Sequence, residues 1–196
     1  MAQHGMVRAM DEAQHLKTLI SVLVGVALSN QAMSVHHLLR DRQQVRWDWL
    51  APCTALLATL LLLHFWFEYY SFANAALFTR LGPLLLLLLQ LLLLVLLACG
   101  ALPDAGGDTD LRRFYNQQAP VFWMVASAYV LGADLWSTLL APPQPLLSRL
   151  AGLAPDLLNI SLFLLLALVR RRRLHEVLVP LVSAWFLVAL YGKGLG

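Results

Sequence analysis

An all-α membrane bundle of about six spanning helices is the fold class this sequence predicts, and three observations predict it. The composition is 60% hydrophobic and only 13% charged, with a mean hydropathy of +0.69, whereas soluble domains carry about a quarter charged residues. The apolar residues fall in six runs near the roughly 20 residues that cross the hydrocarbon core. Most lysines and arginines sit in the short stretches between those runs, where topology signals belong.

The runs predict helices over 16–39, 49–70, 81–102, 120–140, 155–169 and 177–191 within one integral membrane domain covering 1–196. The third is the most apolar, with leucine at 84–89 and 91–94 around a single Gln90. Pro52, Pro83, Pro120 and Pro155 fall at or near expected helix starts, where a missing N–H costs little. Gly100 and Pro103 close the third helix, and the Pro142-Pro143-Gln144-Pro145 stretch makes a stiff connection. Pro180 should kink the sixth helix, as spanning helices tolerate. Thr109 can cap a short interfacial helix over 109–117, with Leu111, Phe114 and Tyr115 on one side and Arg112 and Arg113 at the headgroups.

Orientation follows from charge. Nine basic residues (Arg40, Arg42, Arg46, Arg112, Arg113 and Arg170 to Arg173) lie in the connections after the odd-numbered helices, against five on the other side. The positive-inside rule then puts both termini on the non-cytoplasmic face of a bacterial inner membrane. Asp11 and Glu12 interrupt any basic n-region, so the first helix is expected to act as an uncleaved insertion signal. Trp47 and Trp49 at one end of the second helix, and Phe65, Trp66, Phe67, Tyr69 and Tyr70 at the other, suit two headgroup belts.

Polar groups within the runs carry whatever chemistry there is, because burying them in lipid is costly. His64 and Glu68 are four residues apart and share a helical face. Asp134 stands among Val130, Leu131 and Leu135, and Gln90, Asp156 and Asn159 fall at comparable depth in the outer half. His64, Glu68 and Asp134 are therefore the expected ion path, supported by Gln90 and Asn159. A plainer role for the same residues is an interfacial Glu68 and an interhelical hydrogen bond at Asp134. Asn30 and Gln31 suit interhelical hydrogen bonds. His36 and His37 suit a basic helix end. Arg170, Arg171, Arg172 and Arg173 form a lipid-headgroup patch.

Cys53 and Cys99 lie in apolar segments without metal or redox spacing. No hydrolase elbow, zincin, P-loop or dinucleotide motif occurs, so no catalytic residue, metal or cofactor is expected. No basic face interleaved with stacking aromatics points to nucleic acid.

Three stretches carry a resemblance: Leu19 to Leu39 followed by Arg40 to Trp49, His64-Phe65-Trp66-Phe67, and Asp110-Leu111-Arg112-Arg113-Phe114-Tyr115. Through them the chain resembles a family of small six-helix bacterial inner-membrane proteins, a resemblance that implies the fold and no activity. The Arg and Phe-Ser-Asp signature of the six-helix acid-sensing potassium channels is missing from the first helix.

The leading expectation is a small channel or transporter for a cation or proton. A bundle this small has little room for a private pore, which favours a homo-oligomer. The alternatives are an accessory or scaffold subunit of a larger membrane complex, whose polar residues only lock helices, and an intramembrane enzyme with a wet cavity.

Overall fold

A computed structural model of the chain describes residues 2–71, 81–104, 110–140 and 146–191, with side chains from Gln14 onward except at 69–71, 136, 139–140 and 146–151. These residues form six helices: α1 (Ala2–Arg40), α2 (Leu50–Ser71), α3 (Leu81–Gly100), α4 (Leu111–Leu140), α5 (Leu146–Leu168) and α6 (Arg172–Tyr191). Among the described residues there is no strand, only an isolated bridge between Arg46 and Asp110.

Four segments are long and apolar enough to cross a membrane: Gln14–Arg40, Leu50–Glu68, Leu81–Gly100 and Arg172–Tyr191, with Gly152–Leu168 a shorter apolar helix. The first four match the first, second, third and sixth expected spans. Helix α4 is longer but more polar, because Arg112, Arg113, Asn116, Gln117, Gln118 and Asp134 interrupt its apolar residues.

Several boundaries differ from the sequence reading. The expected interfacial helix over 109–117 and the fourth span are one continuous helix, with Pro120 in its interior. Pro155 is likewise inside α5, which begins nine residues earlier. A proline inside a helix removes one backbone hydrogen bond, a loss that neighbouring helices make tolerable in membrane bundles. Helix α6 begins within the arginine run. Leu174 N–H and His175 N–H both donate to Arg171 C=O (3.0 and 3.4 Å), and the Arg172–Glu176 pair across the first turn supports the early start.

Helix α2 is the hub, packing against α1, α3, α4 and α6. Its sequence explains why. Ala51, Ala55 and Ala58 are buried at helical spacing and allow close backbone approach, while Leu57, Leu61, Leu62 and Phe65 fill the remaining space. Helix α4 lies between α3 and α5, and α6 rests mainly on α2. In α3, Leu87, Gln90, Leu91, Leu94 and Leu97 face inward and Leu85, Leu89, Leu92 and Leu96 face outward. That division was invisible in a helix that is leucine all round.

Contacts bring the ends of α1, α3 and α5 and the starts of α2, α4 and α6 to one end of the bundle. Leu111 N–H donates to Arg46 C=O (3.1 Å), and Asp48 meets Arg172. All nine arginines of the odd-numbered connections belong to this arginine end.

Candidate functional site

Two polar constellations stand out, one at the arginine end and one between α4 and α5. The first grows from the turn before α2. Asp48 precedes the apolar run, and its Oδ1 accepts from Leu50 N–H (3.1 Å), so the carboxylate caps the helix. Its Oδ2 lies 2.7 Å from Arg172 Nη1, the pair approaching obliquely rather than along a straight hydrogen bond. Arg172 Nε donates to Glu176 Oε1 (2.7 Å). The Asp48 side chain is 2% exposed and that of Arg172 28%, so the carboxylate depends on this partner more than the guanidinium does.

Beside this pair runs a buried chain of four groups. Trp123 Nε1–H points to the Tyr115 hydroxyl oxygen (3.4 Å), that hydroxyl lies 2.7 Å from His175 Nδ1, and His175 Nε2 lies 2.8 Å from Val169 C=O. The carbonyl can only accept, so Nε2 carries a hydrogen. In the neutral ring Nδ1 then accepts, and Tyr115 donates to it. Burial pushes the Tyr115 hydroxyl up to about 12, which keeps it protonated as a donor. Each donor has an acceptor, so the chain joins α4, α6 and the α5–α6 connection without an orphaned group.

At the rim, Asp110 takes Arg113 N–H on Oδ1 (3.0 Å) and Arg46 on Oδ2 (3.3 Å). The Arg113 N–H and the nearby Arg46 charge hold the Asp110 carboxyl below the usual carboxylate range.

Deeper in the bundle the amides are spent on helix contacts. Gln90 Nε2 donates to Tyr129 C=O (3.2 Å), and a Cβ added at Gly132 would stand 3.0 Å from the same nitrogen. Gln31 Nε2 donates to Ala55 C=O (2.7 Å) while its Oε1 accepts from Thr59 (2.8 Å). Asn30 Nδ2 reaches Cys99 Sγ (3.2 Å).

The second constellation is a carboxyl pair. The side chains of Asp134 on α4 and Asp156 on α5 lie close enough to interact. Both are half-buried, with Leu135, Leu157 and Leu158 as exposed apolar neighbours along the chain. Asn159 is half-buried one turn beyond Asp156.

The expected ion-path residues therefore do not form one described cluster. Asp134 faces α5, while Gln90 meets α4 on the flank of Tyr129 and Gly132. The half-buried His64 ring meets Phe186 of α6 edge-on, with centroids 6.2 Å apart. Glu68 is half-buried one turn further along α2. The expected companion of Asp134 was His64 or Glu68. The structure supplies Asp156, which sequence reading had only noted as polar.

Within the arginine run, Arg170, Arg171 and Arg173 are exposed and Arg172 is half-buried in its ion pairs. Sequence reading passed over Asp48 and Trp123. An acid just before an apolar run is a cap signature that could have flagged Asp48. Nothing local announces its partner across the chain.

Among the described residues, no three His, Cys, Asp or Glu side chains gather to hold a metal ion. No known protein family, curated protein or solved structure matches the chain.

Proposed function

We propose that the protein is a small membrane channel or transporter for protons or a cation, with Asp134 and Asp156 as its binding centre. The observation that carries this reading is the approach of two half-buried acidic side chains, one from α4 and one from α5. Two carboxylates at such close quarters repel each other, and a proton or metal cation taken up between them relieves that repulsion. Groups of this kind within apolar segments mark ion and proton pathways in membrane proteins. His64, Glu68, Gln90 and Asn159 belong to the same outer half, and a homo-oligomer would supply the passage one bundle lacks. In this reading the arginine end faces the cytoplasm of a bacterial inner membrane and both termini face away, following the charge bias.

The test is flux of protons and monovalent cations into liposomes holding wild type, Asp134→Asn or Asp156→Asn. Either substitution should reduce flux by about tenfold or more, the scale of losing one charge-assisted contact, while insertion and helicity persist. Undiminished flux in both variants removes the pair from the path.

A second reading has its own observation. Gln31, Gln90 and Asn30 all go to partners on neighbouring helices, as in an accessory subunit whose polar groups serve assembly. Absence of flux for every ion, together with co-purification of a larger membrane complex, favours it.

A further inference from the structure

Between the start of α4, the end of α5 and the start of α6 lies a cleft of about 320 Å³. Its lining divides by chemistry. Arg112 and Asn116 of α4 and Arg170 of the α5–α6 connection supply the outer polar groups. Leu166 and Ala167 of α5 and Pro120 of α4 make an apolar wall.

The charges at the cleft are not equivalent. Arg172 also lines it, but Asp48 and Glu176 hold its guanidinium. Tyr115 and His175 border the cleft with their polar atoms turned to each other. Arg112 and Arg170 are exposed and enter no ion pair among the described residues. Two guanidiniums thus border one cavity, Arg112 with the Asp110 carboxylate nearby and Arg170 outside any ion pair among the described residues, an arrangement that favours an anion between them. A guanidinium presents paired N–H donors matched to two phosphate oxygens, and the Asn116 amide adds a neutral donor.

We propose that this cleft seats the phosphate of an anionic phospholipid, gripped by Arg112 and Arg170, with an acyl chain along Leu166 and Ala167. The apolar wall selects a lipid over a soluble anion, because free phosphate leaves that wall unsatisfied. The level agrees, since the cleft lies where the helices end and cationic side chains meet headgroups. Arg171 and Arg173 do not line it, so the site is narrower than the arginine run, and on α4 it extends to residues far from that run. It shares no residue with the Asp134–Asp156 pair and stands whether or not the protein transports anything.

The experiment is native mass spectrometry of the full chain in detergent, titrated with phosphatidylglycerol or with phosphatidylcholine. Arg112→Gln/Arg170→Gln is compared with Arg171→Gln/Arg173→Gln, which removes the same charge from outside the cleft. The first variant should bind phosphatidylglycerol about tenfold more weakly than wild type, and the second within about twofold. Arg112→Lys/Arg170→Lys, which keeps both charges but loses the paired donors, should fall between them and guards against misfolding of the glutamine variant. Equal losses in the two glutamine variants would overturn the site in favour of a diffuse charge belt. Phosphatidylcholine bound as tightly as phosphatidylglycerol, or inorganic phosphate displacing the lipid at equal concentration, would also overturn it.

Discussion

At the arginine end, the starts of α2, α4 and α6 are tied by the Asp48–Arg172 ion pair and by a four-member hydrogen-bond chain whose Tyr115–His175 link spans 60 residues. Between α4 and α5, toward the other end, the Asp134 and Asp156 side chains approach each other. The contrast teaches that one chain can use polar contacts in two ways. Where fixed donors and acceptors link neighbouring helices, as along the Trp123–Tyr115–His175 chain, the network rigidifies. Where two like acids face each other, the contact depends on what neutralises their charge and can change state.

Breaking the arginine-end lattice should therefore have the largest effect. Arg172→Met strands Asp48, a buried carboxylate that keeps only its cap hydrogen bond, and should cost about 3–5 kcal/mol in detergent unfolding. Adding Asp48→Asn should recover part of the loss. A smaller loss in the double variant than in Arg172→Met would confirm that the stranded charge, rather than lost packing, was responsible. Tyr115→Phe removes the hydroxyl shared by Trp123 and His175 and leaves both ring nitrogens without their partner. The expected cost is about 1–3 kcal/mol, measured the same way.

The carboxyl seam should respond differently. Asp156→Asn retains an amide able to hydrogen-bond Asp134, so stability should change by less than about 1 kcal/mol. A proton shared by the pair should give the infrared C=O band of a protonated carboxyl in wild type and none in this variant. A variant that loses stability but keeps the band would place the shared proton elsewhere. Gly132→Ala should be smaller still. The new Cβ displaces the Gln90 amide from Tyr129 C=O, losing about 0.6 kcal/mol. Removing a helix-interior glycine contributes about 1 kcal/mol in the other direction. Near-neutral unfolding, with altered amide exchange along α3 and α4, is the expected result.

The smallest effect concerns pH at the rim. The lowered Asp110 carboxyl favours the folded connection at pH above the ordinary carboxylate range, and that contribution fades as pH falls through the lowered value. Protection of the Leu111 N–H, which donates to Arg46 C=O, measured against the intrinsic exchange rate at each pH, should fall on acidification. In Asp110→Asn it should lose that pH dependence.

How much of this was legible before the structure depended on the range of the interaction. The number and order of helices followed from apolar run length, which is local. The cap at Asp48 and the Arg172–Glu176 pair are also local, and spacing alone could have found them. The early start of α6 and the continuity of α4 through Pro120 were missed because proline and arginine were read as punctuation. Arg172 instead enters the first turn with Glu176, and packing against α2, α3 and α5 carries α4 through its proline. Asp134 could be picked out by its apolar surroundings. Its neighbour could not, because His64 and Glu68 were the expected companions and nothing local to Asp156 announces the α4–α5 packing.

The Asp48–Arg172 pair also has a consequence for how the chain is made. Asp48 leaves the ribosome with the second helix, whereas its counter-charge arrives with the sixth. Throughout synthesis the nascent bundle carries an acid with no partner at the start of its central helix. Arrival of the last hairpin neutralises that acid and fixes α6 on α2 in the same event. A chain truncated before Arg172 would expose an unmatched carboxylate that a membrane quality-control protease could read as unfinished.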